Sequence, residues 1–259
     1  MRHFGRLAWM GLIAAMLAAC ASSASREQVE SEARLVDIYT NLAAEQLSLN
    51  KLDIALQEIE KALAVDSRNS RANAVMGLIQ ARLRDDRQAE RYLRRAISYD
   101  ENNAEARNAY GVFLCERDRL QDALKQFDAA IANPLYRAPE RPNVNAGVCL
   151  MKKPRPVEAE KYFRAALRAN PKSPVALYNM ARISYDGGQA LSARAFMQRY
   201  FEAASDSPEA LLLAVKIERA LRAKDAEASY ALRLRGKFPE SAEAKELQAL
   251  SGKSAPQPR

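Results

Sequence analysis

The side chains best suited to chemistry are few. Three cysteines occur, Cys20, Cys115 and Cys149, while the only histidine is His3 and the only tryptophan is Trp9. Once the N-terminal stretch discussed below is removed, no imidazole is left. Ser-His-Asp and Cys-His nucleophiles, histidine proton shuttles and His-bearing zinc sites need a nitrogen base that titrates near neutrality, so all are excluded. Paired carboxylates remain as a catalytic option, with Glu45, Asp53, Glu58 and Glu60 as candidates. They fall at ordinary exposed helical spacing and read as solvated. None of the nine glycines belongs to a Walker A or GxGxxG pattern, so no phosphate cradle is marked. These residues specify a non-enzymatic protein with no metal site, no cofactor and no small-molecule substrate.

With 259 residues, 48% hydrophobic and 28% charged, the chain is long enough for a substantial core and too polar for a multispanning membrane protein. Residues 1–19 read as a secretory signal. Arg2 and Arg6 form its positive start, Leu7 to Leu17 its apolar stretch, and Leu17-Ala18-Ala19-Cys20 its cleavage region. A membrane-spanning helix needs about 20 largely apolar residues, more than this stretch supplies. The Leu-Ala-Ala-Cys segment resembles the lipobox of bacterial lipoproteins. That resemblance implies cleavage before Cys20, a diacylglycerol on its thiol and an acyl chain on its new amine. Each buried methylene holds with about 0.8 kcal/mol, so several chains anchor firmly. An unlipidated secreted protein with cysteine at the cut site is the alternative. Ala21, where the lipoprotein sorting rule would read an inner-membrane Asp, directs the anchor to the outer membrane, periplasmic side. Residues 20–35 then serve as anchor and tether, Ala21 to Arg26 being flexible.

The rest of the chain is governed by a repeat. Ala55, Ala89 and Ala123 lie 34 apart, as do Ala62, Ala96 and Ala130. After a two-residue insertion the series resumes at Ala159 and Ala166, then at Ala193 with Tyr200. Gly77, Gly111 and Gly147 each fall twelve residues before the first alanine of their repeat. Within a unit the small and apolar residues keep helical spacing, as in Ala123, Phe127 and Ala130. Each unit is therefore a helical hairpin whose apolar face is buried only by stacking on its neighbours.

This pattern resembles the tetratricopeptide repeat, with units starting near Val36, Ser70, Ala104, Glu140 and Pro174. A sixth from Pro208 is degenerate, with Glu227 at an alanine position, and Ser241 to Leu250 look like a cap helix. The resemblance implies an all-α, right-handed superhelical solenoid of about six hairpins plus the cap over residues 36–250, followed by a disordered tail, 251–259. Cys115 and Cys149 fall on neighbouring first helices, and an exported protein meets an oxidising compartment. An inward-facing pair would form a disulfide; the alternative is two buried thiols acting as small apolar residues.

In the tetratricopeptide pattern the second, fifth, ninth and twelfth residues of each first helix face a concave groove that holds segments of other proteins. Unit two supplies Arg71, Ala74 and Leu78, and unit three Asn108 and Val112. Unit four supplies Val144, Val148 and Met151, and unit five Val175, Tyr178, Arg182 and Tyr185. About half of these are expected to be accessible, and the mostly apolar middle suits an apolar strand or helix. Between units three and four, Pro134, Pro139 and Pro142 stiffen an insertion. It is either a lengthened turn or a contact site offering Leu135 and Tyr136. Two basic runs, Arg91-Arg94-Arg95 and Lys152-Lys153-Arg155, read as solvated faces or turns. Export and the lack of interleaved aromatic platforms disfavour nucleic acid; anionic lipid headgroups or an acidic partner surface fit better.

The lipobox, the six units, Asn108-Ala-Tyr-Gly-Val-Phe-Leu-Cys115, the Asn-Pro-Leu-Tyr insertion and Asn145-Ala-Gly-Val-Cys-Leu-Met-Lys-Lys153 together resemble the tetratricopeptide lipoproteins of type IV pilus biogenesis, the pilotins. The departures are Ala43 in place of Gly in unit one, Tyr200 in place of Ala in unit five and the weak sixth unit. The resemblance implies a monomeric, lipid-anchored adaptor that binds subunits of the pilus secretin PilQ, carries them to the outer membrane and promotes their multimerisation. An outer-membrane adaptor serving cell-wall synthesis or barrel assembly would share lipobox and solenoid without the signatures of units three and four.

Overall fold

The computed structural model describes residues 27–153 and 155–252. The expected signal (1–19), the expected lipidation residue Cys20, residues 21–26 of the expected tether and residues 253–259 of the expected tail lie outside the described residues. All secondary structure among the described residues is helical, and no described helix is long and apolar enough to cross a membrane. The chain divides into two compact units, one ending at Phe113 and one beginning at Leu114.

In the first unit, α1 spans 27–48 and α2 Leu52–Val65, followed by α3 (Ser70–Arg82), α4 (Asp86–Tyr99) and the start of α5 (Ala104–Glu116). Residues 27–35, expected in the tether, are helical and continuous with the first repeat. The segment carries Glu27, Glu30 and Glu32, and Gln28 bonds Glu32 while Arg34 reaches Glu30, each one turn away, so it helps to hold its own helix. Each second helix buries the same triad one turn and two turns apart, Ala55-Ile59-Ala62 in α2 and Ala89-Leu93-Ala96 in α4. Val36 and Ala43 of α1 join the α2 triad and Val75, Met76 and Ile79 of α3 in one core. Gly77 is required by this packing, because a Cβ there would stand 2.7 Å from Cγ of Leu93.

The hairpin turns are built alike. Asn50 and Arg84 take positive φ (58° and 65°), and the next amide reaches back over the turn, Lys51 to the Gln46 carbonyl and Asp85 to that of Gln80. This closure satisfies the last carbonyls of the first helix and reverses the chain. Between repeats, Asp66 and Asp100 accept from amides two residues on, and Asn69 and Asn103 cap α3 and α5 by accepting from Ala72 and Ala106.

The second unit contains α6 (Leu120–Ile131), α7 (Glu140–Met151), α8 (Pro156–Ala169), α9 (Pro174–Asp186), α10 (Ala190–Ala203), α11 (Pro208–Ala220), α12 (Lys224–Lys237) and α13 (Ala242–Gly252). The buried triads recur as Ala123-Phe127-Ala130, Ala159-Phe163-Ala166 and Ala193-Met197-Tyr200. A Cβ on Gly147 would stand 2.6 Å from the Phe163 ring, so the phenylalanine fills the space that glycine leaves. Cys115 and Cys149 are joined by a disulfide, with Cα atoms 5.8 Å apart. In the sixth hairpin Glu227 is tolerated at the alanine position because it accepts a 2.8 Å hydrogen bond from Arg219. The α13 helix packs on α11 and α12 through Ala244 and Leu247 and runs to Gly252, two residues into the stretch expected to be a disordered tail.

Candidate partner-binding surface

The groove positions divide by exposure. In the first unit Ala74 is buried against Ala96 and Ala106, Asn108 is buried, and Leu78 and Val112 are half-buried. Arg71 is half-buried and reaches back to α1, where its guanidinium bonds the side-chain oxygen of Asn41 and lies 3.8 Å from Asp37. In the second unit Val144 is buried, while Val148 and Met151 are half-buried and packed on the α7/α8 core. Ala74, Asn108 and Val144 are therefore closed to a partner. Neighbouring helices approach closely enough at the fifth position to seal small side chains.

On α9, Val175 is 46% exposed, and Tyr178, Arg182 and Tyr185 are half-buried. Tyr178 packs against α10, the second helix of its own hairpin, with its ring 6.2 Å from that of Tyr200. Burial pushes its hydroxyl pKa up, so it stays a neutral donor. This stretch offers an apolar edge with one guanidinium and two phenols, suited to a polypeptide and not to a charged small molecule. In the insertion, Leu135 is 86% exposed and Tyr136 half-buried, with the Leu135 amide bonded to Asn133 Oδ1. Beside the disulfide, Lys153 holds Asp118 at 2.8 Å and Arg155 lies 3.5 Å from Glu158. The Lys153 ammonium keeps the Asp118 carboxyl below its usual pKa range.

The largest departure from the repeat pattern is on α1, which no groove position singled out. The third and seventh residues of a first helix are buried in the later units: Ala72 and Met76, Ala106 and Tyr110, Pro142 and Ala146, Ala176 and Met180, Ala210 and Ala214. Their counterparts in the first repeat, Ile38 and Leu42, are 52% and 39% exposed. With Leu35 and Leu49, also exposed, they form a stripe at heptad-like spacing. This is the seam by which one helix receives another. The signal was present in the sequence: a terminal repeat needs a polar outer face, and this one carries isoleucine and leucine there.

Among the described residues no group of three His, Cys, Asp or Glu side chains could hold a metal ion.

Two family models described as tetratricopeptide repeat match residues 75–138 and 150–217. The type IV pilus assembly protein PilF of Pseudomonas aeruginosa is 29% identical over 251 residues, which is 94% of this chain and 98% of that protein. A solved structure of P. aeruginosa PilF superposes with a TM-score of 0.76 at 27% identity, covering 85% of this chain and 99% of that one. PilW, described as a widely conserved type IV pilus biogenesis factor, superposes with a TM-score of 0.72 at 32% identity, covering 82% and 98%. Repeat pattern, hairpin geometry and full-length likeness agree: the chain belongs to the tetratricopeptide-repeat proteins of type IV pilus biogenesis.

Proposed function

We propose that the protein is an outer-membrane pilotin, a lipid-anchored adaptor that binds subunits of the pilus secretin PilQ and promotes their localisation and assembly. The observation that carries this reading is the uncovered seam of Leu35, Ile38 and Leu42 on α1, an apolar face made for a helix of another chain. The accessible α9 positions Val175, Tyr178, Arg182 and Tyr185 provide further contact for an extended segment. The acyl chains expected on Cys20 supply address, and the apolar surface supplies affinity. Anchoring concentrates the client at the membrane, so modest affinity suffices. The protein brings polypeptides together and transforms none of them.

Affinity capture of the mature lipoprotein from envelope extracts tests this. Secretin subunits are expected with the wild-type chain and are lost with Ile38→Glu/Leu42→Glu. The Cys20→Ala chain should still capture the client but leave it away from the outer membrane. Recovery of cell-wall or barrel-assembly proteins in place of a secretin would overturn the assignment.

A further inference from the structure

The two basic runs of the sequence meet different fates in the fold. In the second unit Lys153 is neutralised by Asp118 and Arg155 by Glu158. In the first unit the charges on α4 are not neutralised. Arg87, Arg91, Arg94 and Arg95 are all exposed, and among the described residues none of the four makes an ion pair. At 3.6 residues per turn they fall within an arc of about 100° on the side opposite the buried Ala89, Leu93 and Ala96.

They line a shallow depression of about 490 Å³ together with Glu90 and Ser98. Glu90, which accepts a 2.7 Å hydrogen bond from the Tyr110 hydroxyl, is the one carboxylate among these lining residues, so the four guanidinium groups outnumber it. Arg91 and Arg95 lie over the Tyr92 ring at 5.4 and 5.7 Å, which fixes their stems against the helix. Tyr99, 38% exposed, extends the same flank and carries Arg68 over its ring at 5.4 Å. Fixed guanidinium groups bordered by tyrosines, with an apolar body and a polar tip, match the interface between headgroups and water.

We infer that the outer face of α4 is a second membrane contact, in which Arg87, Arg91, Arg94 and Arg95 bind the phosphates of anionic phospholipid headgroups. The inference rests on the anchored reading above. The chain from Cys20 to Glu27 spans at most about 25 Å when fully extended, which keeps the first unit close to the bilayer. A guanidinium matches phosphate bidentately, and a shallow, open face bearing several of them suits a layer of headgroups. With α4 on the lipid, the adaptor gains a preferred orientation that flexible acyl chains alone do not impose.

The test uses the chain from Ala21 onward, which keeps every described helix and carries no acyl group. Co-sedimentation with phosphatidylglycerol vesicles is compared with that on phosphatidylcholine vesicles. Binding to phosphatidylglycerol alone, weakening with salt, is expected. Each arginine near an anionic surface contributes roughly fivefold, so Arg87→Gln/Arg91→Gln/Arg94→Gln/Arg95→Gln should weaken it more than a hundredfold. The fourfold Arg→Lys variant should retain most of it, and an unchanged circular-dichroism melt would show that the Gln variant is folded. Wild-type chain that ignores phosphatidylglycerol, or a folded Gln variant that binds it equally well, overturns the inference. Neither result depends on whether Cys20 is lipidated in the cell or whether the client is a secretin.

Discussion

The first repeat of the first unit and the last helices of the second show two fates for the outer apolar face of a helical hairpin. At the C-terminal end α13 lies on the sixth hairpin, and Leu211, Val215, Leu234 and Leu247 are all 0–1% exposed. At the N-terminal end the equivalent apolar positions on α1 stay in solvent, with Ile38 at 52% and Leu42 at 39%. The covered end is finished within the chain. The open end keeps the geometry of a repeat that awaits a neighbour, and this is where a partner helix gains most by burying apolar surface.

Substitutions that treat the two ends alike should separate them sharply. Leu247→Asp places a carboxylate in the closed cluster and should cost upward of about 4 kcal/mol or undock α13, whereas Leu42→Asp should stay within about 0.5 kcal/mol. Urea unfolding of both variants reads the difference, and equal losses would remove it. Next in size is the bridge between Cys115 and Cys149, which closes a loop of 34 residues. In the chain-entropy model that loop is worth roughly 3–4 kcal/mol, so Cys115→Ser should shift the urea midpoint without affecting either end in particular.

The covered end is also pinned by charge. Asp206, whose side chain is 8% exposed, bonds Arg233 and Lys237 of α12. Burial alone would raise its pKa, but the hydrogen bonds and charges of Lys237 and Arg233 outweigh it and hold the carboxyl low. A carboxyl depressed in the folded state stabilises above its ordinary value of 3.8, and this stabilisation is lost as pH falls toward the depressed one. Asp206→Asn should therefore cost about 1–3 kcal/mol at neutral pH and flatten the loss of stability on acidification below about pH 4, as measured by urea midpoints across pH. The smallest effect belongs to the hairpin turns, which are alike at both ends. Arg84 and Arg222 hold φ of 65° and 57°, so Arg84→Gly and Arg222→Gly should each raise the melting midpoint by no more than about 1 kcal/mol equivalent. A gain at only one would show that the turns differ after all.

The repeat was legible because its physics is local and periodic. Alanines at 34-residue intervals are forced by close helix crossings, and Gly77 and Gly147 by the Leu93 and Phe163 side chains that fill their place. The pairing of Cys115 with Cys149 stayed open in the sequence because either a bridge or two thiols satisfies that periodicity. The groove positions were legible as positions but not as surface: Ala74, Asn108 and Val144 fit the pattern and are sealed by their neighbours. The α1 seam was passed over because Ile38 and Leu42 look like ordinary core residues until the absent neighbour is noticed.

By itself, the sequence determined that this chain is built of repeated helical hairpins, since hydrophobic period and small residues at fixed spacing depend on no distant contact. Only the tertiary structure decided which apolar residues lack a covering helix, and which cations a counter-ion, among the described residues. Burial and charge compensation are properties of neighbours brought together by packing, and equivalent positions of successive repeats differ in both.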